Sequence, residues 1–90
     1  MPSAYILINT EIGSEDNVLE EIRNIPNTKE AYITYGVYDI VAKIEASSID
    51  ELEDTIASKI RHLKKIESTL TFLVMEKKFN QMLLNSSICV

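Results

Sequence analysis

Ninety residues make one domain with a small core, and for chains of this size association is a common way to bury more apolar surface. A net charge of −5 and one small basic cluster, Arg61, Lys64 and Lys65, exclude direct phosphate-backbone recognition by this chain alone. No apolar run approaches the ~20 residues of a membrane span, the N-terminus has no secretory pattern, and the lone Cys89 forms no internal disulfide. That composition predicts a cytoplasmic setting.

Residues 4–12 alternate as a strand, with Ala4, Ile6, Ile8 and Thr10 on one side and Tyr5, Leu7, Asn9 and Glu11 on the other. Gly13 and Ser14 end it, and Ser14 is placed to cap a helix with Glu15 and Asp16 in its first turn. Val18, Leu19, Ile22 and Ile25 follow at helical spacing until Pro26-Asn27 stops the pattern.

Two further strands are predicted near residues 29–35 and 38–46, reversing at Gly36. In the second, Ile40, Ala42, Ile44 and Ala46 share a face and Val41, Lys43 and Glu45 share the other. Ser48 with Glu51, or Ser47 with Asp50, forms a capping box for a second helix. Its stripe is Ile49, Leu52, Ile56, Ile60 and Leu63, with acids early and bases late as the helix dipole favours. A last strand over residues 67–77 presents Leu70, Phe72 and Val74 on one face and Thr69, Thr71, Leu73 and Met75 on the other. The domain is set at residues 1–78. Residues 79–90 form a tail with no period, suited to an edge strand, a short helix or a loose end.

The order β-α-β-β-α-β predicts a ferredoxin-like α+β plait, a four-stranded antiparallel sheet with both helices on one face. The helix stripes should cover Ile6, Ile8, Ile40, Ala42, Ile44, Leu70, Phe72 and Val74. Tyr5, Leu7, Val41, Leu73 and Met75 are then left on the open face, interleaved with Asn9, Lys43, Thr69 and Thr71. So apolar an open face calls for a partner, and the simplest is a second copy on a two-fold axis.

Asp39, Thr69 and Thr71 are the best polar constellation. A carboxylate pairs with an amino group, and hydroxyls with strand-end amides bind a carboxylate; the alternative is turn capping by Asp39 and plain strand propensity in the threonines. Tyr32, Tyr35 and Tyr38 crowd the same corner, either packing across strands or walling a ligand site. His62 beside Arg61, Lys64 and Lys65 reads as a solvated helix-end residue. No second His, no further Cys and no nucleophile–base pair supports a metal site, a cofactor or catalysis.

The run Tyr35-Gly36-Val37-Tyr38-Asp39-Ile40, a following helix with Ile49, Leu52 and Ile60, and then Ile66 and Thr69-Leu70-Thr71 resemble a known pattern. They are similar to the regulation-of-amino-acid-metabolism (RAM) domain of the Lrp/AsnC feast/famine transcription regulators, over about residues 4–78. The helix-turn-helix domain that normally precedes it does not, so the chain resembles a stand-alone RAM domain.

That resemblance implies homodimers joined through their sheets and dimers associating into octamer or decamer rings, with amino-acid effectors bound between dimers. It implies an effector corner at Tyr35, Gly36, Tyr38 and Asp39, with Thr69 and Thr71 contributing hydroxyl or backbone contacts. Full-length Lrp/AsnC regulators are the implied partners. The chain departs from the family at Tyr35, where Thr often stands, and in the extension past Lys78. Other readings of the same β-α-β-β-α-β order are a structural oligomer with a vestigial pocket, an ACT-type regulatory domain and a small dimeric monooxygenase.

Overall fold

The computed structural model describes residues 1–75. The expectations for the last strand past Met75 and for the tail lie outside those residues. The element order is β1 (Ser3–Thr10), α1 (Glu15–Arg23), β2 (Thr28–Ile33), β3 (Ile40–Glu45), α2 (Ile49–Thr55), a π-helical turn (Ile56–Ile60) and β4 (Ile66–Val74). The four strands form one antiparallel sheet in the order β2-β3-β1-β4. This is the ferredoxin-like plait that the sequence predicts.

The core lies between the helices and one sheet face. Ala4, Ile6 and Ile8 of β1, Ile40, Ala42 and Ile44 of β3, Val18 and Ile22 of α1, Leu52 of α2 and Ile60 after it are all buried to within 1% of complete. These are the alternating and helical-stripe positions of the sequence, because a strand buries every second residue and a helix every third or fourth. Ile49 departs from its predicted stripe and is half exposed, as the first residue of α2.

Ser48 caps α2 as predicted, its hydroxyl accepting from the Glu51 amide at 3.1 Å. The Glu51 carboxylate returns to the Ser47 amide, one residue earlier than in a standard capping box. Ser14 makes no side-chain cap; Glu15 instead accepts from the Gly13 amide at 2.9 Å.

One expectation is overturned. In antiparallel pairing, directly opposed residues share a face. Thr69 lies opposite Ile8, Thr71 opposite Ile6 and Leu73 opposite Ala4, so these three point toward the helices. Leu70 lies opposite Leu7, Phe72 opposite Tyr5 and Val74 opposite Ser3, so these three occupy the open face. Both faces of β4 are rich in strand-forming side chains, so alternation within β4 cannot say which faces in. The register with β1 decides it, with an irregularity between Asn9 and Thr10.

Arg23 of α1 donates from Nε at 3.1 Å and from Nη2 at 2.7 Å to the Ala31 carbonyl, which closes part of the β2 edge against strand addition.

Candidate functional site

The open sheet face carries a continuous apolar row across all four strands: Tyr32 faces Val41, Val41 faces Leu7, and Leu7 faces Leu70. Tyr5 and Phe72 extend it in the next row, and Phe72 is 52% exposed. Tyr5, Leu7 and Val41 therefore stand where the sequence predicted. Leu73 is corrected to the helix side, and Met75 lies just past the end of β4 in neither row. Tyr32, Leu70, Phe72 and Val74 are the members of this face that sequence reasoning missed. The β4 trio is the more apolar of that strand's two faces, so the register makes the open face greasier than expected.

Charge gathers at one end of the same face. Lys43 lies 3.6 Å from Glu45 and stands over the Tyr5 ring, 5.7 Å from its centre; Lys29 reaches Glu45 at 3.9 Å. The Lys29 side chain is 60% exposed, and a pair at such a surface contributes little to stability.

The corner between β2 and β3 is a six-residue loop, residues 34–39, wider than the tight reversal predicted. Its base is closed by the Thr34 amide donating to the Asp39 carbonyl at 2.8 Å and by the Thr34 hydroxyl donating to the Tyr38 carbonyl at 2.8 Å. Gly36 has φ +137°, a value that side chains resist. Asp39 Oδ2 accepts from the Thr10 amide at 2.9 Å and from the Thr10 hydroxyl at 3.4 Å. Through Oδ2 the side chain thus holds the corner against the end of β1.

The three tyrosines do not crowd this corner. Tyr35 is fully exposed, Tyr38 is half-buried, and Tyr32 lies in β2, donating its hydroxyl to Glu30 at 3.1 Å. Nor does one chain bring Asp39 to Thr69 and Thr71. Asp39 precedes β3 while the threonines lie in β4, with β1 between them. Two strand spacings are about 10 Å, too far for one small ligand to bond both directly. The threonines also sit on the helix side, not the open face expected.

The Thr71 hydroxyl is buried without a hydrogen-bond partner. It belongs to a groove of about 430 Å³ between β4 and the second helix, lined by Glu53, Ile56, Ala57, Arg61, Thr71 and Leu73. Among the described residues no group of three His, Cys, Asp or Glu side chains is placed to hold a metal ion. No helix among them is long and apolar enough to cross a membrane. Cys89 lies outside the described residues.

The chain is a ferredoxin-like plait with one helix-covered face, one bare apolar face and an ordered corner at the sheet's end. The chain belongs to the Lrp/AsnC family: the model of the Lrp/AsnC ligand binding domain matches residues 3–84. Its fold is similar to the crystal structure of FFRP-DM1, with TM-score 0.80 and 37% identity over 83% of this chain and all of that one. It is also similar to Escherichia coli AsnC, with TM-score 0.77 and 28% identity over 86% of this chain and 52% of that one. In sequence it is 30% identical over 74 residues to an HTH-type transcriptional regulator of Pyrococcus furiosus, covering 79% of this chain. The chain spans about half the length of that relative, 49%.

Proposed function

We propose that this domain binds an amino-acid effector and oligomerises to modulate transcription, acting with full-length Lrp/AsnC regulators rather than contacting DNA itself. The observation that carries the reading is the open sheet face of a chain that matches a ligand-binding domain of transcription regulators. A row of apolar side chains across four strands is surface that a second copy buries favourably, at roughly 25 cal/mol per Å². The net charge of −5 argues against independent DNA binding. Among the described residues no catalytic constellation suggests an enzyme, and a cytoplasmic setting suits a regulator.

In this reading the sheets pair face to face, and dimers associate further into rings of eight or ten subunits. Asp39 fixes the corner that carries Tyr35, Gly36 and Tyr38, and Thr69 and Thr71 reach it from another dimer of the ring, not from the face-to-face partner, whose threonines point to its own helices. The separation of Asp39 from the threonines within one chain supports such a shared site. A purely structural oligomer is the second reading, favoured by one observation: the Asp39 carboxylate is already held by Thr10.

Thermal-shift screening of the full chain against the twenty amino acids separates the two, repeated with Asp39→Ala. A ligand that binds the assembled native state raises its melting temperature by linkage. A rise for one class of amino acid, reduced in the variant, supports the sensor. Flat responses throughout select the structural oligomer.

A further inference from the structure

β4 is an edge strand whose apolar side chains are exposed on both faces. Ala4 and Ile6, on the inward face of β1, are completely buried, whereas Leu73, opposite Ala4, keeps 44% of its surface in solvent. Residues 68–74 carry no charge, no proline and no glycine. Such a run on a sheet edge invites strand-to-strand aggregation, and natural proteins cover it. A sheet-to-sheet partner covers only the open face, so the helix side of β4 needs a cover of its own.

The groove beside Leu73, of about 430 Å³, shows what that cover must supply. Ile56, Ala57 and Leu73 give it an apolar wall, and the Thr71 hydroxyl is buried there with no partner among the described residues. Buried hydroxyls are normally hydrogen-bonded. The groove is therefore short of a polar group as well as of apolar contact.

The chain itself leads to this place. Val74 and Met75 line a hollow with Ile49, the first residue of α2, so β4 ends where α2 begins. That start of α2 is acidic, with Asp50, Glu51, Glu53 and Asp54. Beyond Met75, Lys77-Lys78 comes first, and then residues 79–84, where Phe79, Met82, Leu83 and Leu84 are apolar and Asn80 and Gln81 polar. Basic and then apolar is the complement of what the groove presents, read inward from Met75: Glu53 first, then Ala57 and Thr71. Residues 76–78 span up to about 10 Å, roughly the separation of packed layers, so residue 79 can reach the groove.

We propose that residues 79–84 of the same chain lie in this groove and cover the helix side of β4. Lys77 and Lys78 pass the acidic start of α2. The apolar side chains of the segment pack on Ile56, Ala57 and Leu73, and Asn80 or Gln81 offers its amide to the Thr71 hydroxyl. The short connection favours the chain's own segment over a second copy's. Its effective concentration is about millimolar, far above that of a partner chain at micromolar concentration. The open sheet face is left for association, so the placement does not depend on the effector reading. Thr71 then reaches a shared corner through its backbone alone.

The test is disulfide trapping in the full chain carrying Cys89→Ser. Ala57→Cys is paired in turn with Phe79→Cys, Met82→Cys, Leu83→Cys and Leu84→Cys, and each pair is oxidised with copper–phenanthroline. The expected result is a bond within one chain for at least one pair, seen as a monomer band on a non-reducing gel and a joined peptide by mass spectrometry. No bond forms when Glu21→Cys on α1 replaces Ala57→Cys. Hydrogen exchange gives a readout without cysteines. Phe79→Asp with Leu83→Asp should speed exchange at least tenfold over residues 53–61 and 69–75, while residues 3–10 and 40–45 keep wild-type protection and establish that the fold is intact. Covalent dimers in place of bonded monomers assign the groove to a second copy's segment and overturn the proposal. Wild-type exchange in the aspartate variant, with no bonded pair, overturns it as well.

Discussion

Asp39 Oδ2 sits 2.9 Å from the backbone amide of Thr10, joining the start of β3 to the end of β1 through a side chain rather than the sheet ladder. The same oxygen also receives the Thr10 hydroxyl. Thr10 is buried, so removing the carboxylate leaves its amide and hydroxyl without their partner. Asp39→Ala is expected to lower stability by about 1–3 kcal/mol, read as a reduced urea midpoint. Asp39→Asn, which keeps an acceptor oxygen, should cost less.

Gly36 is required by its backbone and not by its surroundings. A Cβ built there meets no atom within 4 Å, yet φ is +137°. Gly36→Ala is therefore expected to cost about 1–3 kcal/mol of backbone strain without any clash. Denaturant melts give the cost, and amide shifts confined to residues 34–39 show that the damage stays local.

The corrected register of β4 makes a prediction that the uncorrected one reverses. Phe72 and Leu70 lie in the apolar rows of the open face, while Leu73 points to the helix side. Phe72→Glu or Leu70→Glu should weaken a sheet-to-sheet dimer by about 2 kcal/mol or more, roughly thirty-fold in dissociation constant. Leu73→Glu should leave association unchanged. Sedimentation velocity across a concentration series distinguishes these outcomes, and a wild-type chain that stays monomeric at micromolar concentration refutes the dimer.

Tyr32 titrates abnormally for a cause visible in the structure. Its hydroxyl donates to the Glu30 carboxylate, and the negative charge beside it further opposes ionisation, so its pKa lies above the ordinary tyrosine value. The folded state thus holds this proton more tightly than the unfolded chain does. Its contribution is fully present below the unfolded pKa of about 10 and is lost as pH rises through the folded value. Absorbance titration should show one tyrosine ionising late, and Tyr32→Phe should remove that late phase.

Much of the architecture is legible in the chain because it rests on local rules. Alternation in residues 4–10 and 40–46 names the buried side of β1 and β3, and Ser48 with Glu51 marks where α2 begins. The order of elements then leaves few topologies. The corner at Gly36 is legible for the same reason, since only glycine takes its φ without strain. The carboxylate at Asp39 is legible as a polar group in an apolar run, but its partner is not: the donors it accepts from belong to Thr10 at the end of β1, not to its own turn.

The sequence by itself determined the plait, the core of β1 and β3, and the family to which its Gly36–Asp39 corner and Thr69–Thr71 strand point. Tertiary structure alone decided which face of β4 is buried, how far Asp39 lies from the threonines, and which side chains share the groove with Thr71. The reason is physical. Strand and helix periods are set by backbone geometry within a few residues, whereas register and facing are settled by pairing with β1, some sixty positions away in the chain. Leu70-Thr71-Phe72-Leu73 suits either orientation, and only that pairing turns Phe72 outward and Thr71 in.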